Sequence, residues 1–597
     1  MCGIAGYWGN QKALRKQQFP HALSQQKHRG PDHTGIYEDD HLLIGHNRLS
    51  IVDLSPQANQ PMLSPCGKFA IVFNGELFNY RSLIDQFHLQ PLTHSDTEVA
   101  LLLLQEMGEN ALTYFNGFFA LAFYEVAEKR LLLARDRYGE KPLWYSHQQN
   151  GEFFFASEAK IFDAFELRKT LDVSQLYAYL QYSYIPAPNS IFKEYKKLLP
   201  GHFIKISSNQ VSEPTAWYHE QKTSSSPLYL QEVLLDAVDI RLNADVPVGA
   251  FLSGGIDSSF IAAIAIRQKS DLKTFTLSFP EEAYYNEAQA AELVAKHIGS
   301  NHITLPVTTA DVRAQLSCFV ESLDEPFADS SALAVLLLSG EMKKHVTVAL
   351  GGDAADELFG GYRKHRALIL AEEVNPFSRF AVHAGAAITR NLASGRSNRW
   401  NDRIRQLHKL SKGLSQNSIE RYQLWTAWNE ERWISSLLPG VRPTDLDIPA
   451  DVDFLKWDQH MVLPNDMLVK LDLMSMQHAL EVRSPFLDYR VVEAANSMGL
   501  STKVDQHEGK KVLRQLAKDY LPMSILDRPK KGFEVPIETW LKGAWKREWL
   551  DCLTVLKQDP HLNAVALEQI NQAFMKGQGE LASLVFALMV YARWSQK

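Results

Sequence analysis

The feature that most constrains the fold is a regular alternation of strand-like and helix-like segments that begins near residue 228. Short apolar runs such as "DVPVGAFLSG" (245–254), "LKTFTLSF" (272–279) and "VTVALGGD" (346–353) alternate with longer segments of helical pattern. Strands that are apolar on both faces and alternate with helices are typical of a parallel sheet covered on both sides. We therefore predict such a sheet in this half, followed by a mostly helical region after about residue 366.

The first predicted strand ends in the segment "SGGIDSS" (residues 253–259), which has the properties of an anion-binding turn. Gly254 and Gly255 let the backbone approach a ligand closely, and the start of the next helix adds N–H groups and hydroxyls. Asp257 inside such a turn is expected mainly where Mg²⁺ is held. No lysine follows the glycines, so a P-loop is excluded, and a plain strand–helix turn is the alternative. The full string resembles the pyrophosphate-binding loop of the ATP pyrophosphatases.

A second acidic turn follows another predicted strand in "VTVALGGDAADELFGGY" (346–362). It carries Asp353, Asp356 and Glu357. Ligands of doubly wound sheets gather at the carboxyl ends of the strands, and both turns lie at such ends. We predict that Asp257 and Asp356 face each other across one Mg²⁺-pyrophosphate. The alternative is that Asp356 or Glu357 only caps the following helix.

The first 170 residues are predicted to be β-rich. "KFAIVFNGEL" (68–77) indicates a strand, and "GFFALAFYEVAEKRLLLARDRYG" (117–139) indicates two strands joined by a turn. Consecutive hairpins favour a largely antiparallel sheet system. Between them "DTEVALLLLQEMG" (96–108) predicts a helix, with Ser95 or Asp96 as its cap.

The chain is too long, at 597 residues, for one hydrophobic core. Pro, Ser and Gly cluster after residue 170, as is typical of a connector between domains. We predict four regions, which are an antiparallel domain (2–170), a connector (171–227), an α/β domain (228–540) and a helical C-terminal extension (541–597).

Composition excludes several classes of protein. A net charge of −7 is mild for this length and gives no reason to expect a nucleic-acid partner. The four cysteines show no CxxC spacing, so neither a zinc site nor a disulfide framework is predicted. No secretory signal and no apolar run of about eighteen residues is visible, so we expect a cytoplasmic protein without a membrane partner. The oligomeric state stays open, with a homodimer as one alternative.

Cys2 follows the initiator methionine directly, in "MCGIAG". It is either a small core residue or a nucleophile that becomes terminal when Met1 is removed. Several further segments of the N-terminal half bear on this choice and are weak signals when taken singly. They are "HRGPD" (28–32), "GHNRLSIVD" (45–53), "FNGELFNY" (73–80), "SDTE" (95–98) and "DRYGEKPLWY" (136–145).

Together and in this order, these segments closely resemble the class II glutamine amidotransferase domain, an N-terminal nucleophile hydrolase. With the SGGIDSS turn, roughly residues 2–540 resemble the glutamine-hydrolysing asparagine synthetases. The resemblance implies an antiparallel β-sandwich with flanking helices, then a parallel-sheet α/β ATP-pyrophosphatase domain with a helical C-terminal part. It implies ATP-dependent amidation of aspartate through β-aspartyl-AMP, with Mg²⁺ as cofactor. Ammonia from glutamine would pass through an internal tunnel, and glutamate, asparagine, AMP and pyrophosphate would be the products.

The resemblance also implies roles in the first half. Cys2 would attack the amide carbon of glutamine, with its own α-amino group as the local base. The Asn74 side chain and the Gly75 N–H would stabilise the oxyanion. Other groups would bind the remainder of glutamine. They are Arg48 for the carboxylate, Glu76 and Asp96 for the α-amino group, and the backbone of Ile51 and Val52.

In the second half, the resemblance implies a nucleotide site and a metal site. The ATP-binding positions are Leu252, Ser253, Gly254, Gly255, Asp257, Ser258, Ser259, Leu277, Gly351 and Gly352. Asp257 and Asp356 would hold Mg²⁺, and Asp353 would act in forming the acyl-adenylate. Lys510 is the expected catalytic lysine, with Lys511 as the register alternative. Asp472 is placed near the pyrophosphate, with a solvated helix face as the alternative, and "RPKKGF" (528–533) is a basic loop at the site.

The second acidic turn departs from the family pattern. The family commonly has SGEGSDE or SGDGGDE there, whereas this chain has "GGDAADE" (351–357). This region contacts the acceptor, and related enzymes amidate sugars, peptides or other carboxylates. Lactam-forming relatives typically lack the terminal cysteine, so Cys2 argues against them, and intact motifs argue against a mere glutamine or ATP sensor. The acceptor is therefore left open between aspartate and another carboxylate.

Overall fold

The structure is a computed structural model, and part of the chain falls outside its description. The described residues are 2–207, 210–282, 286–389, 399–443, 453–528 and 535–597, with the backbone alone for 399, 401 and 402. Met1 and most of the predicted basic loop, from residue 529 onward, lie outside the described residues.

Short strands build the N-terminal half. They are β1 (Gly3–Trp8), β2 (His33–Glu38), β3 (Leu42–Arg48), β4 (Met62–Leu63), β5 (Phe69–Leu77), β6 (Gly117–Glu125), β7 (Arg130–Arg135), β8 (Trp144–His147), β9 (Phe153–Ala156), β10 (Lys196–Lys197), β11 (His202–Ser207), β12 (Gln210–Val211) and β13 (Thr215–Ala216). One antiparallel sheet has the order β10-β8-β9-β1-β3-β2. The other has the order β12-β11-β7-β6-β5-β4, with β13 beside β11.

The two sheets pack face to face. Side chains of both inner faces, such as Ile4 and Ile44 from one sheet and Val72 and Leu133 from the other, form one buried apolar cluster. Successive side chains of a strand point to opposite faces, so each sheet also has an outer apolar face to cover. Helices cover both outer faces. They are α1 (Lys12–Ser24) on the first sheet, and α2 (Tyr80–Phe87) and α3 (Asp96–Met107) on the second.

The hairpin and helix predictions for this half hold. β6 and β7 pair in antiparallel register, with Lys129 in the left-handed region at the turn. The side chain of Ser95 accepts a hydrogen bond from the backbone N–H of Thr97, so Ser95 is the cap of α3. Strands β10 to β13 lie within residues 171–227, so this segment adds strands to the two sheets as well as joining the two halves.

A parallel sheet forms the centre of the second half. Its strands are β14 (Val248–Phe251), β15 (Lys273–Ser278), β16 (Asn301–Pro306), β17 (Val348–Leu350) and β18 (Glu481–Arg483). Their order is β16-β15-β14-β17-β18, and every neighbouring pair is parallel. The predicted fold class is therefore confirmed, and both acidic turns lie at the carboxyl end of this sheet, after β14 and β17.

Helices surround the parallel sheet and make up the rest of this half. Those up to residue 388 are α4 (Val173–Tyr182), α5 (Pro227–Arg241), α6 (Ile256–Gln268), α7 (Ala288–Ile298), α8 (Thr309–Ser322), α9 (Ala332–Lys343), α10 (Ala355–Phe359), α11 (Arg363–Glu373) and α12 (Pro376–Ile388). The later ones are α13 (Arg399–Leu414), α14 (Ser418–Thr426), α15 (Glu431–Leu437), α16 (Phe454–His460), α17 (Leu468–Met476), α18 (Tyr489–Ser497), α19 (Leu500–Lys503), α20 (Lys511–Leu516), α21 (Met523–Leu526), α22 (Ile537–Lys542), α23 (Lys546–Leu556), α24 (Ala564–Met575) and α25 (Ala582–Trp594).

The C-terminal helices are integrated into the apolar core. α25 contributes buried residues such as Phe586 and Leu588 to the cluster that also contains Phe275 and Leu277 of β15. Residues 541–597, predicted as an extension, therefore share a core with the parallel sheet. Among the described residues, no helix combines the length and apolar character that a membrane crossing requires.

Candidate functional site

Cys2 is buried at the start of β1. Its backbone N–H donates to Oδ1 of Asn74 at 2.9 Å, and its Sγ lies 3.9 Å from the carbonyl oxygen of Leu49. Burial raises the pKa of the Cys2 thiol, while the hydrogen bond to the Leu49 backbone and the charge of Arg48 oppose this effect. Cys2 thus lies beside Asn74 in a buried pocket, where water screens charges only weakly.

Asn74 and Gly75 lie side by side in the middle of β5. Nδ2 of Asn74 is 3.4 Å from Oγ of Ser157, which also accepts the backbone N–H of Ile4 at 3.0 Å. A Cβ atom at Gly75 would lie 2.2 Å from the carbonyl oxygen of Phe118, so only glycine fits against the neighbouring strand. The structure therefore brings the predicted oxyanion pair next to Cys2.

Arg48 holds the loop that follows β3. One Nη donates to the carbonyl oxygen of Ser55 and to Oδ1 of Asn59, each at 2.9 Å. The other contacts the carbonyl oxygens of Val52 and Asp53. The guanidinium that was predicted to bind a carboxylate is therefore engaged with the predicted backbone of the glutamine pocket.

Glu76 and Asp96 form a buried acidic pair. Burial and Asp96 raise the pKa of Glu76 well above its usual range, and burial raises the pKa of Asp96 to about 6. Asp96 accepts the backbone N–H groups of Leu77 and Thr97, each at 2.8 Å. Arg483 of the second half lies 3.5 Å from Oε2 of Glu76. This pocket can accept a cationic group such as an α-ammonium.

The two acidic turns of the parallel sheet contact each other at one end of a cavity of about 1350 Å³. A Cβ at Gly352 would lie 2.8 Å from the backbone nitrogen of Ser258, so glycine lets the second turn approach the first turn of α6. Gly254 has φ of +71° and packs against α7. In the first turn, Oγ of Ser253 and Oγ of Ser258 are 3.0 Å apart.

The predicted nucleotide residues divide into three groups. Those that line the cavity are Leu252, Ser253, Asp257, Ser258, Leu277 and Gly352, together with Asp353 and Asp356. Gly254, Gly255 and Gly351 shape the turns without lining the cavity. Ser259 is buried within α6 and its hydroxyl has no hydrogen-bond partner among the described residues, so this position faces the core instead of the cavity.

Lys510 lies between the two carboxylates that were predicted to hold a metal. Its Nζ is 2.5 Å from Oδ2 of Asp257 and 2.6 Å from Oδ1 of Asp356. Lys511 instead pairs with exposed Asp505 at 2.9 Å, so Lys510 is the lysine at this site. Lys510 adopts a left-handed backbone conformation, with φ of 57°.

Asp257 and Asp356 fit a Mg²⁺ site only when a bound substrate supplies further oxygen ligands. The ammonium of Lys510 shows that a cation is accepted between Asp257 and Asp356, and Oδ1 of Asp257 has no hydrogen-bond partner among the described residues. No cluster of three ligating side chains occurs in the described part of the chain. Two carboxylates completed by phosphate oxygens are a common environment for Mg²⁺.

Asp353 lies in the same cavity beside a second lysine. Burial raises the pKa of the Asp353 carboxyl, while the nearby ammonium of Lys470 lowers it. Lys470 pairs with Asp329 at 2.8 Å, and both residues line the cavity. Lys470 is thus a cationic group near the acidic turn, at a position where a carboxylate substrate could be held.

Ala354 is strained because it adopts φ of 75°. An L-residue pays about 1–2 kcal/mol in this region, and glycine avoids that cost at the expense of unfolded-state entropy. Ala354→Gly should therefore raise the free energy of unfolding by about 0.5–1 kcal/mol, or the melting temperature by about 1–2 °C. Ala355→Gly is the control, since Ala355 is buried in the first turn of α10 and should lose stability. A lower melting temperature for Ala354→Gly would contradict the strain.

Arg29 connects the two sites and was not singled out from the sequence. It is fully buried, and its Nε donates to the carbonyl oxygen of Cys2 at 3.0 Å. Its other nitrogens contact Glu158 at 3.0 Å and Asp472 at 2.8 Å. Asp472 is therefore neither in the nucleotide cavity nor on a solvated face. It lies between the halves, two residues after Lys470 on α17.

Strand β18 is a second connection. The carbonyl oxygen of Arg483 accepts the N–H of Gly351 at 2.9 Å, next to the acidic turn, while its side chain reaches Glu76. Nε of Arg483 also contacts Glu481 at 2.7 Å. Burial opposes ionisation of Glu481, but the charge of Arg483 and its hydrogen bond help to hold the pKa of the Glu481 carboxyl below its usual range. A strand of the parallel sheet thus supplies charged groups to the pocket of Cys2.

Asp472→Asn should lower the activity of the Cys2 site while the site in the second half keeps its activity. Arg29 would keep Glu158 but lose the charge that holds it toward α17, so the orientation of Cys2 would loosen. We expect kcat/KM for the glutamine hydrolysis that the resemblance implies to fall about tenfold, because coupling residues contribute about 0.5–2 kcal/mol. The exchange of pyrophosphate into ATP that the resemblance implies for the other site should stay within about twofold. Asp505→Asn is the control, because it removes the charge that pairs with Lys511 and keeps a side-chain oxygen for the N–H groups of His507 and Glu508. Equal loss of both activities would contradict this role.

Two family models match the chain and together span nearly all of it. Residues 1–218 match the glutamine amidotransferase domain, and residues 229–595 match asparagine synthase. The chain is therefore a ligase that carries out glutamine-dependent amidation. It belongs to the asparagine synthase family, whose members use ATP as a substrate.

Relatives of similar length support this assignment. A putative glutamine-hydrolysing asparagine synthetase of Mycobacterium tuberculosis is 30% identical over 100% of this chain and 97% of its own length. Glutamine-hydrolysing asparagine synthetase 1 of Bacillus subtilis is 29% identical over 100% and 96%. The amidase chyE of Penicillium rubens is 27% identical over 92% and 91%. Among solved structures, the glutamine phosphoribosylpyrophosphate amidotransferase of B. subtilis is 18% identical over 46% of this chain and 65% of its own, with a TM-score of 0.29.

Proposed function

We propose that this ligase converts aspartate to asparagine, with glutamine as the nitrogen donor and ATP as the activating substrate. The observation that carries the proposal is the pair of connected sites, one around Cys2 and one around Asp257, Asp356 and Lys510. The activities would divide as the sequence predicts, with glutamine hydrolysis in residues 2–170 and synthesis in residues 228–540. A homodimer remains a prediction.

In the first site, the Cys2 thiolate would attack the amide carbon of glutamine once Met1 is removed. The amine of Cys2 would take the thiol proton and pass it to the departing ammonia. Asn74 and the Gly75 N–H would stabilise the oxyanion of the tetrahedral intermediate. Water would then hydrolyse the thioester to glutamate. Asn74 supports this role because it already contacts the backbone of Cys2.

In the second site, the side-chain carboxylate of aspartate would attack the α-phosphate of ATP and release pyrophosphate. Ammonia would then attack the activated carbonyl carbon, and AMP would leave. The Ser253 and Ser258 hydroxyls would hold phosphate oxygens, and Lys510 would stabilise charge on the transferring group. Asp257 and Asp356 would hold Mg²⁺, which when bound neutralises charge on the pyrophosphate.

Pyrophosphate exchange tests the acceptor directly. Labelled pyrophosphate should enter ATP when aspartate is present and stay at background when glutamate replaces it. Exchange at background with aspartate would refute the aspartate proposal while leaving the glutaminase intact. Glutamine hydrolysis, measured on the same preparation, reports whether the protein is folded.

The pH dependence of glutamine use should reflect Asp96. Its carboxyl has a pKa raised to about 6, so it is increasingly protonated below that pH and cannot pair with the α-ammonium of glutamine. kcat/KM for glutamine should therefore fall as pH decreases through 6, by about tenfold at pH 5. Asp96→Asn should remove this limb and lower the plateau about 10²-fold, whereas Asp85→Asn, at an exposed position of α2, should change neither. An unaltered acid limb in Asp96→Asn would contradict the assignment.

A larger carboxylate is the second candidate acceptor, and the extent of the cavity lining favours it. The cavity extends beyond the acidic turns to Trp425, Trp433 and Arg432. Exchange that depends on a carboxylated sugar or peptide, and not on aspartate, would select this candidate.

A further inference from the structure

A second and smaller cavity lies between the two halves of the chain. It has a volume of about 50 Å³, whereas the cavity at the acidic turns has about 1350 Å³. Glu140 and Trp144 line it from the first half, and Leu468 and Asp472 line it from α17 of the second half. We call it the inter-half cavity. A buried water-sized molecule needs roughly 10–15 Å³, so this cavity has room for small polar molecules.

Two polar side chains on the wall of the inter-half cavity lack partners. Glu140 is 6% exposed, and its carboxyl takes part in no hydrogen bond or ion pair within the described part of the chain. The hydroxyl of Tyr184, which is 2% exposed, also has no hydrogen-bond partner among the described residues. Buried polar groups are nearly always hydrogen-bonded, either to protein or to a small bound molecule. The cavity wall therefore indicates a small polar ligand.

The other charged side chains that line the inter-half cavity have partners within the described residues. They are Arg135, which donates to three backbone carbonyl oxygens, Lys197 and Glu325, which pair with each other, Asp324, which accepts the backbone N–H of Lys160, and Asp472, which pairs with Arg29. Glu140 differs from all of these, because its carboxyl lines the cavity without a counter-ion or a hydrogen-bond donor. A carboxyl in this position is free to bind a ligand.

Burial gives Glu140 an unusual protonation state. Burial and the charge of Asp136 raise the pKa of its carboxyl to about 8, while the charges of Lys141 and Arg241 oppose this effect. Each of these two cations has a carboxylate partner of its own. At neutral pH Glu140 is therefore mostly a neutral carboxyl, which has an O–H to donate.

The inter-half cavity is close to both candidate sites. Asp472, on its wall, contacts Arg29, whose Nε donates to the carbonyl oxygen of Cys2. The charge of Asp353, in the second acidic turn, also acts on Glu140 and adds to its raised pKa. This position suits a small molecule that is released at one site and consumed at the other.

We propose that the Glu140 carboxyl is a binding group for ammonia between the two sites. The O–H of Glu140 would donate to the nitrogen lone pair of NH₃, and the Tyr184 hydroxyl offers a further hydrogen bond on the wall of the same cavity. The nitrogen would stay neutral, with no proton transferred and no covalent bond formed, and would remain a nucleophile. This inference rests on the proposed function, because it needs ammonia that is released at Cys2 and consumed at the acidic turns.

Water is the alternative occupant of the inter-half cavity. It would accept the same O–H of Glu140, but its oxygen is a weaker hydrogen-bond acceptor than the more basic nitrogen of ammonia. A neutral carboxyl that lacks any other partner therefore favours ammonia where both are present. If water alone occupied the cavity, Glu140 would have no effect on the use of nitrogen from glutamine.

The coupling between the two reactions tests this role. The ratio of AMP to glutamate is measured in reactions with glutamine, aspartate and ATP. Glu140→Leu should lower this ratio about fivefold, which is the typical effect of one lost hydrogen bond. Glutamine hydrolysis alone, and synthesis from saturating ammonium salts, should each stay within about twofold of wild type, because neither needs ammonia to be held between the sites. Glu128→Leu is the matched control, since Glu128 is exposed at the turn after β6.

Infrared spectroscopy tests the binding without any acceptor. A neutral carboxyl absorbs apart from carboxylates, so the difference between wild type and Glu140→Gln at neutral pH isolates the band of Glu140. Ammonium chloride should shift this band, and sodium chloride at the same concentration should not. Absence of the band, or a band that ammonium chloride leaves unchanged, would overturn the proposal.

The coupling measurement has equally definite outcomes. Glu140→Gln keeps a hydrogen-bond donor of similar size and should retain most of the ratio, so a ratio as low as that of Glu140→Leu would contradict the proposed hydrogen bond. An unchanged ratio in Glu140→Leu would assign the cavity to water. Equal loss of coupled and ammonium-dependent synthesis would indicate a structural role instead. If AMP stays at background with aspartate even from ammonium salts, the proposed function fails, and the infrared comparison alone decides the ammonia site.

Discussion

Cys2→Ala should abolish glutamine-dependent synthesis while ammonia-dependent synthesis persists. In the proposed mechanism the Cys2 thiol is the nucleophile of the first site and forms the thioester, so we expect a loss of at least about 10³-fold in kcat with glutamine. Free ammonia would reach the acyl-adenylate without the first site, so synthesis from ammonium salts should stay within about twofold. Both activities are measured as AMP release with aspartate and ATP.

The cysteine composition of the chain supplies a matched control for this prediction. Cys66 is exposed and lies on the loop before β5, so Cys66→Ala should leave both activities unchanged. Equal loss of the two activities in Cys2→Ala would show that the division between the sites is wrong. Intact mass adds an independent check, because retention of Met1 in the active protein would exclude the free α-amino group on which the mechanism depends.

Asp257→Asn should have the opposite pattern, with synthesis lost and glutamine hydrolysis retained. Asp257 and Asp356 share the ammonium of Lys510, and both line the cavity in which pyrophosphate would lie. Removing one carboxylate weakens the site for Mg²⁺ and leaves Lys510 with one partner. We expect synthesis from either nitrogen source to fall about 10²–10³-fold.

A control variant and the Mg²⁺ requirement of the reaction check this prediction. Asp271→Asn is the control, because Asp271 is exposed on the turn before β15 and should leave synthesis unchanged. The apparent Mg²⁺ requirement of pyrophosphate exchange should rise in Asp257→Asn and stay constant in the control. Synthesis within a few-fold of wild type would contradict the assignment of Asp257, and parallel loss of glutamine hydrolysis would indicate a general folding defect.

Local patterns predicted much of the fold and part of the sites. The strand–helix alternation, the glycines of both acidic turns and the cap at Ser95 depend on neighbouring residues, and each corresponds to an element in the structure. The convergence of Asp257 and Asp356 followed from one rule about parallel sheets. Ser259 belongs to the same serine-rich string as Ser253 and Ser258, which line the cavity. Helix periodicity instead directs the side chain of Ser259 into the core.

The contacts between the halves could not be predicted in the same way. Arg29 lies in the quoted segment "HRGPD", yet nothing near it in the chain indicates a contact with Asp472, which is 443 residues away. Arg483 and Glu481 lie in a region that was predicted only as mostly helical, and they approach the pocket of Cys2 because β18 is an edge strand placed against the first half. The sequence feature that could have pointed to this contact is the presence of charged residues inside an otherwise apolar segment.

The order of most elements, the two glycine-rich acidic turns and the cysteine next to the initiator methionine can be recognised from the sequence alone. These features depend on side-chain periodicity, backbone freedom and covalent position, which are local properties. The packing of distant segments, in contrast, brings the charges of the two halves together and places Lys510 between two carboxylates. Burial and long-range pairing depend on how distant segments pack together, and local sequence patterns carry little information about that packing.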